Sequence, residues 1–350
     1  MAPTRSKSVQ AHLSESGSKL RPILTNLNGD NSWLVSFPLP ENERQANGKA
    51  FFHIVSDPWL TGPASAFGSY YAANVSLPHP PAYKSGGEVE AIAYEIEQLA
   101  RDTGHTSTAP TTSSCDSVID LISIAHQNTD HNHEDTLRTF RRNIPVVAAP
   151  APATAIRAMK HFETVVDSME LVTGTPSFQS LHPGSSVLPA WLSIFGLTAA
   201  SVVNFATAFV WSHPENGTTK HEIIINAPHG IKIGEPSVQK FISLLNQDHD
   251  TTVLALLHSL KSNFARIGQF TFGVQGGLEL ERPMRPNYWI ITDSSKLIYG
   301  GVLFWLLGPY DVFHTMEWAL EKEAEKNGGV QGRRPNHLEV ENGDWFVLKQ

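Results

Sequence analysis

The stretch that most constrains this chain is residues 118–137, where a mostly apolar run of strand length, 118–125, ends abruptly in His126, Asp130, His131 and His133. An apolar run of that length bounded by polar residues predicts a buried strand. In α/β proteins sites form in the loops at the carboxyl ends of strands, so three imidazoles and a carboxylate within eight residues predict a metal site there. The competing reading is a solvated His-rich loop. The chain carries 16 His, several of them (His79, His182, His213, His249) in polar segments, and spacing alone leaves both readings open.

The rest of the chain predicts α/β layering. Residues 32–37 and 51–56 read as an opening hairpin with a polar loop, and the second strand runs into Asp57, followed by Pro58. A turn cap is the preferred reading of Asp57 over a ligand or a support for one. Residues 87–101 place Val89, Ile92, Ile96, Leu99 and Ala100 on one helical face, with Glu88, Glu90, Glu95 and Glu97 on the remainder. Residues 134–142 predict a short helix, 144–149 a strand, and 152–162 a helix opened by its proline.

In the second half, 202–210 and 222–227 read as strands joined through the turn 214–217, and the second ends in Pro228-His229-Gly230. A helix at 235–245 and strands at 269–272 and 288–291 follow, the last delivering Thr292-Asp293. Residues 297–307 are an apolar segment broken by glycines, 312–326 a terminal helix, and 345–348 a closing strand. Three separate strands therefore end in potential ligands.

Composition excludes several function classes. Of 350 residues, 41% are hydrophobic, enough to bury the core of one large α/β domain or two ordinary ones. A charged content of 17% and a net charge of −8, without a large basic cluster, argue against a nucleic-acid binder. The single cysteine, Cys115, excludes an intrachain disulfide and a multi-cysteine zinc site, and fits a reducing compartment, here expected to be the cytoplasm. Residues 1–21 read as a disordered tail without a signal-peptide core, ahead of a domain spanning 22–350. The most apolar segments are interrupted by Pro189, Asn204, Gly300 and Gly301, so no membrane span is expected. No Gly-x-Ser-x-Gly elbow is present, and Gly276-Gly277 and Gly300-Gly301 lack the context of a phosphate loop.

His126-x-x-x-Asp130-His131 after an apolar strand resembles the metal signature of the metallo-β-lactamase superfamily, with Asn128 in the place of its second His. Residues 27–34, 56–62, 129–137, 227–231 and 287–291 occur in the order found in a group of fungal metallo-β-lactamase-like hydrolases. The resemblance implies a four-layer αββα sandwich over about residues 22–350 and zinc-assisted hydrolysis as the ancestral chemistry. It carries His126 onto the first His and Asp130 and His131 onto the Asp-His pair. His229 falls where relatives place a bridging Asp, and Asp293 where they place a final His. The chain departs from the family at Gln275, where His is expected, and at Ala190-Trp191-Leu192, near the expected middle His.

These departures strip one metal site and leave Asp130, His131, His229 and Asp293 for the other. The expectation is therefore a mononuclear metallo-hydrolase of a small-molecule ester, lactone, thioester or phosphodiester. It would hold one Zn2+, with Fe or Mn also acceptable to these donors, and use His126 or His133 as general base or proton shuttle. Trp59, Trp191 and Phe195 are either pocket-lining aromatics or, in the preferred reading of each, core. Two rivals stay open. One is a metal-poor cyclase, isomerase or lyase of fungal secondary metabolism using His126, His131 and His229 as acid and base; the other is a catalytically inactive relative. The expected partner is a small molecule rather than nucleic acid or membrane, and the sequence carries no mark of oligomeric state.

Overall fold

The computed structural model describes residues 9–14, 19–65, 69–106, 117–184, 186–201 and 203–349. Cys115 and most of the tail expected at 1–21 lie outside them, and residues 9–14 are helical, with Val9 and Leu13 in a buried cluster. Two compact units are present. One draws on Met1–Ala64, His79–Asp167 and Val340–Gln350, the other on Ser65–Pro78 and Ser168–Glu339. Each is α/β and each is built on a mixed seven-stranded sheet.

In the first unit the strand order is Trp345–Val347, Ile23–Asn26, Trp33–Pro38, Phe51–Ser56, Leu121–Ile124, Val146–Ala148 and Val165–Asp167. The first four run antiparallel to their neighbours. From Phe51–Ser56 onward the pairing is parallel, with Val55 opposite Ile122 and Ile122 opposite Val146. Parallel strands buried on both faces read as continuous apolar runs, which is why Leu121–Ile124 and Val146–Ala148 were visible in the sequence. The opening pair is correct, but it is no simple hairpin: a helix, Glu41–Asn47, lies between its strands, and an unforeseen strand, Ile23–Asn26, pairs on the other side of Trp33–Pro38. The helix foreseen at 134–142 closes after one turn, Glu134–Leu137.

The long helix Gly86–Asp102 is capped by Ser85, whose side chain accepts from the Glu88 N–H, and buries Val89, Ala93, Ile96 and Ala100. Glu90 and Glu97, on the remainder of the helix outside its apolar face, are also buried. Glu97 accepts hydrogen bonds from the N–H groups of Ala50 (2.7 Å) and Phe51 (2.9 Å) and lies 3.1 Å from His53 Nε2. Those three partners replace water at the start of the strand Phe51–Ser56, where a merely helical periodicity cannot foresee them.

In the second unit the order is His337–Glu339, Tyr288–Ile291, Thr251–His258, Thr218–Ala227, Phe205–Glu215, Leu192–Thr198 and Met169–Glu170. The hairpin of Phe205–Glu215 and Thr218–Ala227 turns at Asn216-Gly217, both at positive φ (+51° and +82°), the geometry that favours this dipeptide. Thr218–Ala227, Thr251–His258 and Tyr288–Ile291 are parallel neighbours, so their carboxyl ends share one edge of the sheet. A three-stranded antiparallel sheet, Gly268–Phe272, Lys261–Ala265 and Tyr310–Phe313, begins beside that edge. The terminal helix foreseen at 312–326 is shorter, Met316–Lys326, because its first residues belong to this small sheet. Phe195 lies in the core of this unit, stacked on Phe178, and Trp59 is fully buried in the other. Among the described residues no helix is long and apolar enough to cross a membrane.

Candidate metal centre

In the first unit the candidate residues follow the ends of two adjacent parallel strands. Phe51–Ser56 delivers Asp57 and Leu121–Ile124 delivers the His126 loop. Asp57 is fully buried at φ +47°. Its Oδ1 accepts from the Ala125 N–H at 2.7 Å, tying the two strand ends together, and its Oδ2 lies 3.2 Å from His131 Nδ1. The turn reading of Asp57 therefore captures only half of its role. The Asn31 amide nitrogen lies 3.4 Å from each ring nitrogen of His131, so the ring is wedged between a carboxylate and an amide. Its Nε2 lies 3.7 Å from Asp130 Oδ2, and the Asn31 amide donates to the Asp130 carbonyl at 3.3 Å.

The other two imidazoles of the loop are engaged differently. His126 packs edge-on against His131, with ring centroids 5.5 Å apart, and its Nδ1 accepts from the Asn128 N–H at 3.0 Å. A neutral His126 thus carries its proton on Nε2. His133 caps the single turn Glu134–Leu137: its Nδ1 meets the Thr136 hydroxyl at 3.0 Å and accepts from the Thr136 N–H. Burial lowers its pKa, opposed by the charges of Asp135 and Asp130.

In the second unit His229 follows Thr218–Ala227 and Asp293 follows Tyr288–Ile291. His229 Nδ1 donates to the Val203 carbonyl at 3.0 Å, which fixes the tautomer with Nε2 unprotonated. His229 Nε2 lies 3.7 Å from Asp293 Oδ2, a buried oxygen that accepts no hydrogen bond among the described residues. Asp293 sits at φ +46°, its carbonyl accepts from Ser259 Oγ at 2.8 Å, and its Oδ1 lies 3.3 Å from Lys261 Nζ.

Each unit thus presents one His Nε2 and one Asp Oδ2 at 3.7 Å. Two donors on one tetrahedral ion stand about 3.4 Å apart when each bond is about 2.1 Å, so both pairs need only a few tenths of an ångström to close on a metal. The donor chemistry and the orphaned Asp293 oxygen fit a divalent ion.

Sequence reasoning missed Lys261 and His258. His258 ends the strand Thr251–His258, in register with Ala227 and Ile291, and is fully buried. Its Nδ1 donates to the Ser259 carbonyl at 2.8 Å and its Nε2 has no hydrogen-bond partner among the described residues, while burial pushes its pKa down to about 4. The signal was available: residues 253–257 are five apolar residues followed by His258, the same pattern as the run before His126.

No family model matches the chain, and no curated protein is similar to it in sequence. Among solved structures, an isothiocyanate hydrolase from Delia radicum gut bacteria aligns over 93% of this chain and 98% of its own, with 12% identity and a TM-score of 0.45. Igni18, a metallo hydrolase from the archaeon Ignicoccus hospitalis, aligns over 94% and 99%, with 11% identity and a TM-score of 0.44. A possible metal-dependent hydrolase from Veillonella parvula aligns over 94% and 100%, with 9% identity and a TM-score of 0.45. Likenesses this distant identify no family, and the functional reading rests on the chain's own residues.

Proposed function

We propose that this protein is a metal-dependent hydrolase of the metallo-β-lactamase type, with Asp130 and His131 in one unit and His229 and Asp293 in the other as its metal ligands. The observation that carries the reading is the matched pair of His Nε2 and Asp Oδ2 donors at 3.7 Å, one pair in each unit. Zinc suits two imidazoles and two carboxylates, and iron or manganese is acceptable to the same set. The four-layer αββα arrangement over residues 22–350, a small-molecule substrate and a cytoplasmic setting belong to the same proposal.

Bound to these residues, a divalent ion would supply Lewis acidity toward a carbonyl or phosphoryl oxygen and make water usable as a nucleophile at about neutral pH. The chain's residues prepare for it. Asp57 sets a negative charge beside Nδ1 of His131, and the Val203 carbonyl takes the Nδ1 proton of His229, which assigns the ligand role of His229 to Nε2. His126, with Nδ1 accepting from Asn128, offers an Nε2–H that can donate a hydrogen bond to the departing oxygen of an ester, lactone or phosphodiester, or to the departing sulfur of a thioester. His133 spends Nδ1 on the helix start, so of the two loop imidazoles His126 is the one proposed to face the substrate.

A second reading, a metal-poor enzyme using the same histidines as acid and base, is favoured by one observation: the Lys261 ammonium lies against Asp293. Elemental analysis of protein purified without chelator separates the two. One ion per chain, lost together with ester or lactone turnover in His131→Ala and His229→Ala, supports the hydrolase. Turnover by a chain that holds no metal supports the rival.

A further inference from the structure

Lys261 and Asp293 form a buried ion pair at 1% and 3% exposure. The lysine is placed by two bonds of its ammonium, to Asp293 Oδ1 at 3.3 Å and to the Ser295 carbonyl at 3.0 Å. Its backbone is tied to the same point, since Ser259 Oγ accepts from the Lys261 N–H at 3.0 Å and donates to the Asp293 carbonyl at 2.8 Å. The strand that begins at Lys261 is held between two others, with Lys261 opposite Phe313 and Ser262 opposite Phe272. A flexible surface lysine folding onto an acid would have none of these constraints.

The pairing is also one-sided. The ammonium takes Oδ1, while Oδ2 is buried, accepts no hydrogen bond among the described residues and lies 3.7 Å from His229 Nε2. A buried carboxylate is stabilised when both its oxygens are satisfied, so an arrangement that satisfies one and withholds the other keeps a position for a second positive group. The ammonium then shares one carboxylate with that group. Two cations on a single carboxylate repel one another strongly at the effective dielectric of a protein interior, ε ~20.

Resting on the metal reading above, we propose that Lys261 is a resident cation of the candidate centre. Its ammonium neutralises Asp293 in place of a metal ion, and so makes this end of the site a weak, exchangeable holder of one metal rather than a tight one. Lys261 acts through Asp293 and touches no substrate; it is a positioning residue for the ligand.

The sign of one measurement decides this. Wild type, Lys261→Met, Lys261→Gln, Asp293→Asn and the double variant Lys261→Gln with Asp293→Asn are titrated with Zn2+, and with Co2+, whose absorption spectrum reports the ligand set. Lys261→Gln keeps a hydrogen-bond donor beside Asp293, so it preserves the fold if Lys261→Met does not, and circular dichroism checks both. Removal of the charge is expected to tighten metal binding by about tenfold or more, and the gain should vanish in the Asp293→Asn background. Unchanged or weaker binding by Lys261→Gln, with wild type still holding its ion, overturns the assignment of Lys261 and leaves the hydrolase reading standing. Metal bound by Lys261→Gln but not by wild type upholds the assignment and sinks that reading. Failure of both proteins to bind overturns the two together.

Discussion

Asp57 and Asp293 share a backbone conformation that residues with a side chain rarely adopt, φ +47° and +46°, Asp57 directly after its strand and Asp293 one residue beyond its own. Asp tolerates this region better than most residues, yet the conformation still costs about 1–3 kcal/mol and persists because the surroundings fix it. At Asp57 the fixing contacts are the Ala125 N–H on Oδ1 and the Ser32 hydroxyl, which donates to the Asp57 carbonyl at 2.8 Å. Asp57→Asn keeps the acceptor for Ala125 and removes the charge beside His131. Metal affinity should fall about 10- to 100-fold with little change in melting temperature, as read by zinc titration and a thermal scan. His258 gives a pH signature of its own. Burial holds its pKa near 4 in the fold against 6.5 unfolded, so below about 6.5 the unfolded chain binds a proton that the native chain refuses. Stability is therefore at full strength above pH ~6.5 and falls by on the order of 3 kcal/mol as pH drops to about 4. Denaturant midpoints measured across that window should decline for wild type and flatten for His258→Asn, in which the amide retains a donor for the Ser259 carbonyl.

At the scale of elements, the approach of the helix Gly273–Met284 to the strand Tyr288–Ile291 is set by a glycine. A Cβ at Gly277 would lie 2.2 Å from the Trp289 ring and 2.9 Å from His258 Nδ1, both in fully buried side chains that have nowhere to move. Gly277→Ala should destabilise the protein by about 1–3 kcal/mol or more through overpacking, seen as a lower denaturant midpoint at unchanged slope. The glycine pair at 276 and 277 is thus a packing device, which agrees with its exclusion as a phosphate loop. Glu97 makes the complementary case in the first unit. Although burial raises its pKa, the hydrogen bond and charge of His53, the Ala50 N–H and the charge of Lys49 outweigh burial and hold it below the usual carboxylate range. With its folded pKa depressed, it contributes stability above pH ~4.5 that is lost on further acidification. Glu97→Leu, which leaves the N–H groups of Ala50 and Phe51 without their acceptor, should cost about 1–3 kcal/mol in equilibrium unfolding at neutral pH.

For the whole molecule, a metal that binds the native state alone must add to its stability by mass action. Zinc at 100 times its dissociation constant would contribute about 2.7 kcal/mol. For a chain of 350 residues that is a rise in melting temperature of a few degrees. Dialysis against a chelator should remove this increment and readdition of zinc restore it; a melting temperature indifferent to both would argue for the metal-poor reading. The α/β class was legible from the sequence, as were the runs at 121–124, 146–148, 222–227 and 288–291, and the polar residues that follow three of them. An apolar run of strand length is a local property, and the strand edge where function gathers follows from it. What only the tertiary structure decided is which partners those residues meet. Asp57 beside His131, Glu97 under the start of a strand, and Lys261 against Asp293 join residues 74, 46 and 32 positions apart. No periodicity records such pairings, because the charge of a buried side chain is settled by whatever the fold brings to it.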